Sequence, residues 1–116
     1  MTEVSIHKQG MPSWVELSTT DEKAALRFYS ALFGWKDDPR PMGPGLFYHV
    51  QKIRGLEVTA IYHQSDMEKN QGVPPHWQTY FAVQNADDIA RKARQAGGKV
   101  LAEPFDVFDD GRMAAL

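Results

Sequence analysis

Apolar and polar positions alternate from Trp14 to Thr19, with Val15 and Leu17 on one face and Trp14, Glu16 and Ser18 on the other. A period of two is that of a half-buried strand. From Asp21 the period changes. Ala25, Leu26, Tyr29, Leu32 and Phe33 recur at helical spacing, with Asp21 placed to cap the first free amides and Gly34 placed to end the helix in a left-handed conformation. Pro39 to Gly45 holds three prolines and two glycines and is read as loop. Leu46 to Lys52 and Glu57 to His63 then form a hairpin that turns at Arg54-Gly55, and the polar stretch Gln64 to Pro75 reads as a linker.

The pattern restarts after the linker. Trp77 to Val83 alternates, with Thr79, Phe81 and Val83 opposite Gln78, Tyr80 and Ala82. Asn85 caps a second helix whose stripe is Ile89, Ala90, Ala93 and Ala96, ended by Gly97-Gly98. A short strand near Lys99–Glu103, a turn at Asp109-Asp110-Gly111 and a last strand from Arg112 follow. A shift of 64 residues lays Asp21 on Asn85, Leu17 on Phe81 and Gly34 on Gly98 without a gap. Matching physical roles in matching order predict two βαβββ modules. On that register the counterpart of Glu57–His63 would fall beyond Leu116, so the second module is expected to be truncated, with an open sheet edge.

The expected organisation is a flexible segment over 1–11, a first module over 12–63, a linker over 64–75 and an incomplete second module over 76–116. The fold class is α+β. Composition changes this picture little. At 116 residues, 42% hydrophobic and 24% charged, the chain suits one globular core. A net charge of −2 with interleaved signs gives no basic face for nucleic acid or an anionic membrane. The absence of cysteine excludes disulfides, thiolate ligands and a cysteine nucleophile. Met1 to Ser5 shows no leader pattern and no apolar run approaches the ~20 residues of a membrane span, so a cytoplasmic setting is expected.

The stretch Trp14-Val15-Glu16-Leu17 … Asp21 … Arg27-Phe28-Tyr29-Ser30-Ala31-Leu32-Phe33-Gly34-Trp35 resembles the opening of vicinal-oxygen-chelate domains, the glyoxalase, bleomycin-resistance and dioxygenase superfamily. His76 to Val83, the Ala96-Gly97-Gly98 helix end and Glu103-Pro104 … Asp109-Asp110-Gly111-Arg112-Met113-Ala114 are similar too. Within the superfamily the chain most resembles the glyoxalase-related hydroxylase group. The resemblance implies paired βαβββ modules curled into a half-barrel around a cavity. Metal-dependent members hold a divalent ion there by one residue from each of four strands. The visible positions fall here on Trp14, near Ala60, and on Gln78, and the fourth lies past Leu116. Trp14 and Ala60 are not ligands, and His49, His63 and His76 show no ligand-like spacing, so neither metal nor other cofactor is expected.

What remains is a pocket without a metal. Strand parity places Trp14, Gln78 and Tyr80 on its wall as substrate-binding candidates, and Glu16 as the candidate catalytic residue, a general base whose pKa burial would raise. The expected function is that of a glyoxalase-related small-molecule domain with an aromatic cavity, acting as a lyase or isomerase on a small carbonyl compound. A metal-free ligand-binding or drug-sequestering module of the bleomycin-resistance type is the alternative. Expected partners are a small-molecule ligand and a second module, through homodimer or tandem pairing. The Pro39–Gly45 loop is expected at the cavity mouth as a lid.

Overall fold

The structure is a computed structural model that describes residues 7–107 and 111–116. In chain order its elements are β1 (Pro12–Thr19), α1 (Glu22–Phe33), β2 (Lys36–Gly43), β3 (Leu46–Ile53), β4 (Leu56–His63), α2 (Asp66–Asn70), β5 (His76–Phe81), α3 (Ala86–Gln95), β6 (Ala102–Val107) and β7 (Gly111–Ala115). The fold is α+β, as expected. Two compact units divide the chain, one over Pro12–Tyr80 and the other over Phe81–Leu116 with the segment up to Met11. No helix among the described residues is long and apolar enough to cross a membrane.

The first unit is built on a five-stranded sheet ordered β2-β3-β4-β1-β5. β2, β3 and β4 pair antiparallel in sequence, and β4 returns parallel to β1 with Glu16 beside Ala60 and Ser18 beside Tyr62. The turn between β3 and β4 has both central residues, Arg54 and Gly55, at positive φ (53° and 77°). That is the geometry whose twist matches a two-residue hairpin. α1 starts at Asp21, whose carboxylate accepts the Ala24 amide, and stops at Gly34 with φ 70°. It lies against β4 on the face that carries Leu17 and Ile61, where His63 bonds Glu22 and the Trp77 indole donates to Tyr29. Val50 and Ile61 are fully enclosed, and each such side chain is worth roughly 1.5–3 kcal/mol of burial.

Two expectations need correction. Lys36 to Gly43 is a strand, β2, where a proline-rich loop and lid were expected. Pro39 and Pro41 sit opposite His49 and Phe47 on an edge strand. Being two apart, both lack their donor on the same side of the strand, the open one, so the ladder to β3 loses nothing. The chain turns only at Pro44-Gly45, with Gly45 at φ 71°. The stretch read as linker contains α2, capped by the Ser65 hydroxyl accepting the Glu68 amide. Buried Gln64 holds it down, its backbone amide donating to Thr19 and its side-chain amide to Val73.

In the second unit α3, capped by Asn85, packs on the β6-β7 hairpin. Gln84 bonds Gln9, and Gly10 and Met11 exchange backbone bonds with Ala82, so the end of the leading segment is held. The repeat persists: β1 and β5 begin at 12 and 76, α1 and α3 at 22 and 86. Its glycine match is off by one. Gly97 at φ 90° takes the left-handed role of Gly34, and Gly98 instead packs against the Ala93 carbonyl. The expected Asp109-Asp110 turn lies outside the described residues, as does Met1 to Ile6.

Candidate functional site

Strand parity and the observed register decide which side chains share the sheet face opposite α1. β1 contributes Trp14, Glu16 and Ser18, β4 contributes Ala60 and Tyr62, and β3 contributes Tyr48 and Val50. Glu16 is 6% exposed, while Trp14, Tyr48, Tyr62 and Tyr80 are half-buried around it. A carboxylate so enclosed needs donors, because burying it bare would cost several kcal/mol.

Two tyrosines supply them. The Tyr48 hydroxyl donates to one Glu16 oxygen at 2.5 Å and the Tyr80 hydroxyl to the other at 2.6 Å. Those lengths are typical of O–H bonds to a charged acceptor. Each hydroxyl is filled from behind: the Trp14 indole N–H donates to Tyr48 at 3.0 Å, and the Gln78 amide donates to Tyr80 at 3.1 Å. The result is one continuous chain of donors, from Trp14 through Tyr48 and from Gln78 through Tyr80, ending on Glu16. No buried side-chain polar atom among the described residues is left without a partner.

The phenols respond to this setting. Burial first, and then the hydrogen bond to Glu16, push Tyr48 and Tyr80 well above the ordinary phenol range. Tyr62 bonds no carboxylate among the described residues, yet burial and the Glu16 charge push it up to about 12. Its ring tilts against that of Tyr48 with centroids 6.0 Å apart. At the end of the same face the Ser18 hydroxyl donates to Glu68 of α2 at 3.4 Å.

The four residues singled out in the sequence, Trp14, Glu16, Gln78 and Tyr80, are thus brought into one network. Tyr48 and Tyr62 were missed, because both depend on strand pairing. The sequence set the wall position only near Ala60, which leaves the parity of β4 open; the observed pairing of Glu16 with Ala60 and of Val50 with Ala60 puts Tyr62 and Tyr48 on this side.

The arrangement does not suit a divalent ion. At the positions implied by the resemblance, the Trp14 indole has no lone pair to give, Ala60 has no donor atom, and Gln78 is engaged with Tyr80. No group of three His, Cys, Asp or Glu side chains gathers as a metal site among the described residues. Of the histidines, His49 faces Asp37, His63 stands between Glu22 and Lys69, and His76 is engaged with the Pro74 carbonyl. Positive charge near the network is already paired, since Arg40 holds Asp38 and Glu57, and Lys52 holds Asp38.

Residues 12–116 match the family model of the Glyoxalase/Bleomycin resistance protein/Dioxygenase superfamily. The chain is 41% identical over 117 residues to "Putative glyoxylase CFP32" of Mycobacterium tuberculosis, a match that covers 100% of this chain and 44% of that protein. It is 34% identical over 117 residues to "Anthracycline biosynthesis protein DnrV" of Streptomyces peucetius, covering 92% of this chain and 42% of that one. The chain therefore spans less than half the length of these relatives. With β1, α1, β2, β3 and β4 in βαβββ order and the match running from the first strand to the last residue, the chain belongs to the glyoxalase, bleomycin resistance and dioxygenase superfamily.

Proposed function

We propose that the sheet face around Glu16 binds a small organic molecule without the help of a metal, and that Glu16 is the acceptor for a donor group of that molecule. The observation that carries this reading is the direction of the network. Every hydrogen bond in it points toward the carboxylate, and the hydroxyls of Tyr48 and Tyr80 are each filled from behind. Their protons are committed, whereas a carboxylate with two oxygens has lone pairs beyond the two in use. A ligand that presents an O–H or N–H group meets a fixed acceptor. The flat walls of Trp14, Tyr48 and Tyr62 favour a planar body. A relative named for anthracycline biosynthesis fits such a ligand, a planar molecule bearing hydroxyl and carbonyl groups.

The same geometry favours a second reading. Glu16, with two O–H donors able to follow its charge, is placed to take a proton from carbon beside a carbonyl and return it, as a lyase or isomerase requires. One experiment separates the readings. Planar hydroxy-carbonyl compounds are titrated into nitrogen-15 labelled protein while the Trp14 indole N–H is followed, and the ligand is then recovered from deuterated buffer. Saturable movement of that resonance, lost in Glu16→Gln, supports binding. Deuterium in the recovered ligand beside its carbonyl, absent with Glu16→Gln, supports catalysis. A resonance indifferent to every compound rejects both.

A further inference from the structure

We infer that Lys69 is a site of acyl transfer, its amine accepting an acyl group from a small thioester while His63 relays the proton and Glu22 steadies the ring. The site lies on the α1 side of the sheet, away from Glu16, and is independent of the proposed function. Three elements converge on it: His63 ends β4, Glu22 opens α1 and Lys69 belongs to α2. The His63 Nδ1 stands 2.6 Å from a Glu22 oxygen, and its Nε2 stands 2.5 Å from the Lys69 Nζ. A carboxylate acceptor sets the ring proton on Nδ1 and leaves the lone pair on Nε2, facing the amine. A nucleophile within reach of a base that a third group orients is the arrangement from which activated serines, cysteines and lysines work. The His63 and Glu22 side chains are 30% and 27% exposed and Lys69 is exposed, so a molecule in solution reaches all three.

The segment that carries Lys69 is itself held in place. Buried Gln64 pins its start through Thr19, Val73 and Pro74, Ser65 caps α2, and Glu68 meets Ser18. Fixing base and nucleophile on anchored elements lowers the entropy that their meeting would otherwise cost. The step that sets Lys69 apart comes after attack. Its nitrogen adds to the thioester carbonyl carbon, forming a C–N bond and leaving negative charge on oxygen and an extra proton on nitrogen. The His63 Nε2 takes that proton before the adduct falls back, and the Glu22 charge offsets the imidazolium. The carbonyl then reforms, the C–S bond breaks, and the imidazolium gives its proton to the departing thiolate. An amide and a thiol result, and His63 returns to its starting form. A thiolate leaves readily enough for one relayed proton to suffice, whereas an alkyl ester would also ask for donors at its oxyanion.

The test lets the lysines of the chain compete. The whole chain is treated with the acetyl thioester of N-acetylcysteamine, and the initial rate of acetylation at each lysine is read by peptide mass spectrometry. Lys69 is expected to react at least about tenfold faster than the exposed Lys23, Lys92 and Lys99. His63→Gln keeps a polar side chain and removes the base, and should bring Lys69 down to the rate of the others. Glu22→Gln should slow it several-fold, because the ring loses the charge that steadies it. Circular dichroism confirms that the variants are folded, and the competition within the parent chain needs no variant at all. A Lys69 that reacts no faster than the exposed lysines would overturn the inference. So would a fast Lys69 whose rate survives His63→Gln, since exposure alone would then account for it.

Discussion

A phenol that donates to a buried carboxylate holds its proton more firmly than one in water, because ionising it would set two negative charges side by side. Tyr48 and Tyr80 are in that position, and Tyr62 is held at about 12 by burial and by the Glu16 charge. Unfolded phenols titrate near about 10. The three hydroxyls therefore favour the folded state while protonated. Their contribution is complete below about pH 10 and is lost as pH rises toward the folded values. Thermal melts should show a level midpoint up to about pH 10 and a fall above it, with a shallower fall in Tyr62→Phe. Glu16→Gln removes the charge and forces one tyrosine to reverse its bond. We expect a loss of about 1–3 kcal/mol in chemical denaturation, and earlier phenolate absorbance in alkaline titration. The four residues of this network that the sequence exposed, Trp14, Glu16, Gln78 and Tyr80, were legible because strand parity is a local property. Tyr48 and Tyr62 depend on the pairing of β3 with β4, and Glu68 on a helix lodged in a stretch that reads as linker. Those are tertiary facts, and alternation along one strand does not contain them.

Elements end where single residues tell them to, and here those signals were mostly plain. Asp21 and Gly34 bracket α1 as their chemistry requires. Asp21→Ala should cost about 1 kcal/mol by freeing the Ala24 amide, and Gly34→Ala about 1 kcal/mol by forcing a Cβ into the left-handed region. Open space around Gly34 means that the second cost is conformational rather than steric. Both should appear as lower denaturation midpoints with unchanged slopes. β2 was misread because three prolines in seven residues look like loop. The chain tolerates Pro39 and Pro41 in a strand only because β2 is an edge and both face outward. This gives them a use: a strand edge without those donors is a poor template for another chain. Pro39→Val with Pro41→Val should restore two outward N–H groups and favour self-association. Light scattering against concentration would detect it, and a variant as monodisperse as the parent would show the prolines to be incidental.

At the scale of the whole chain, the two compact units carry different loads. All of the Glu16 network, from Trp14 to Tyr80, belongs to the unit over Pro12–Tyr80. The unit over Phe81–Leu116 is held by other means, since of its described residues only Ala86 and Ala90 are buried apolar side chains. Ion pairs tie its layers together: Arg94 of α3 meets Glu103 of β6, and Arg112 on β7 does more. Its guanidinium forks onto both oxygens of Asp87 at the start of α3, at 2.8 and 3.1 Å, and donates to Asp106 of β6 at 3.0 Å. A planar fork fits that task and an ammonium does not. Nothing along the chain signals this fork, because Asp87, Asp106 and Arg112 are separated in the chain and meet only when helix and hairpin pack. Arg112→Ala should therefore loosen one unit and spare the other. In hydrogen exchange, amides of α3, β6 and β7 are expected to lose protection while those of β1, β3 and β4 keep theirs. Arg112→Lys should recover little of the loss, having the charge without the fork. Loss of protection in β1 and β4 as well would mean that the units open as one, and that the site around Glu16 draws its stability from the entire chain.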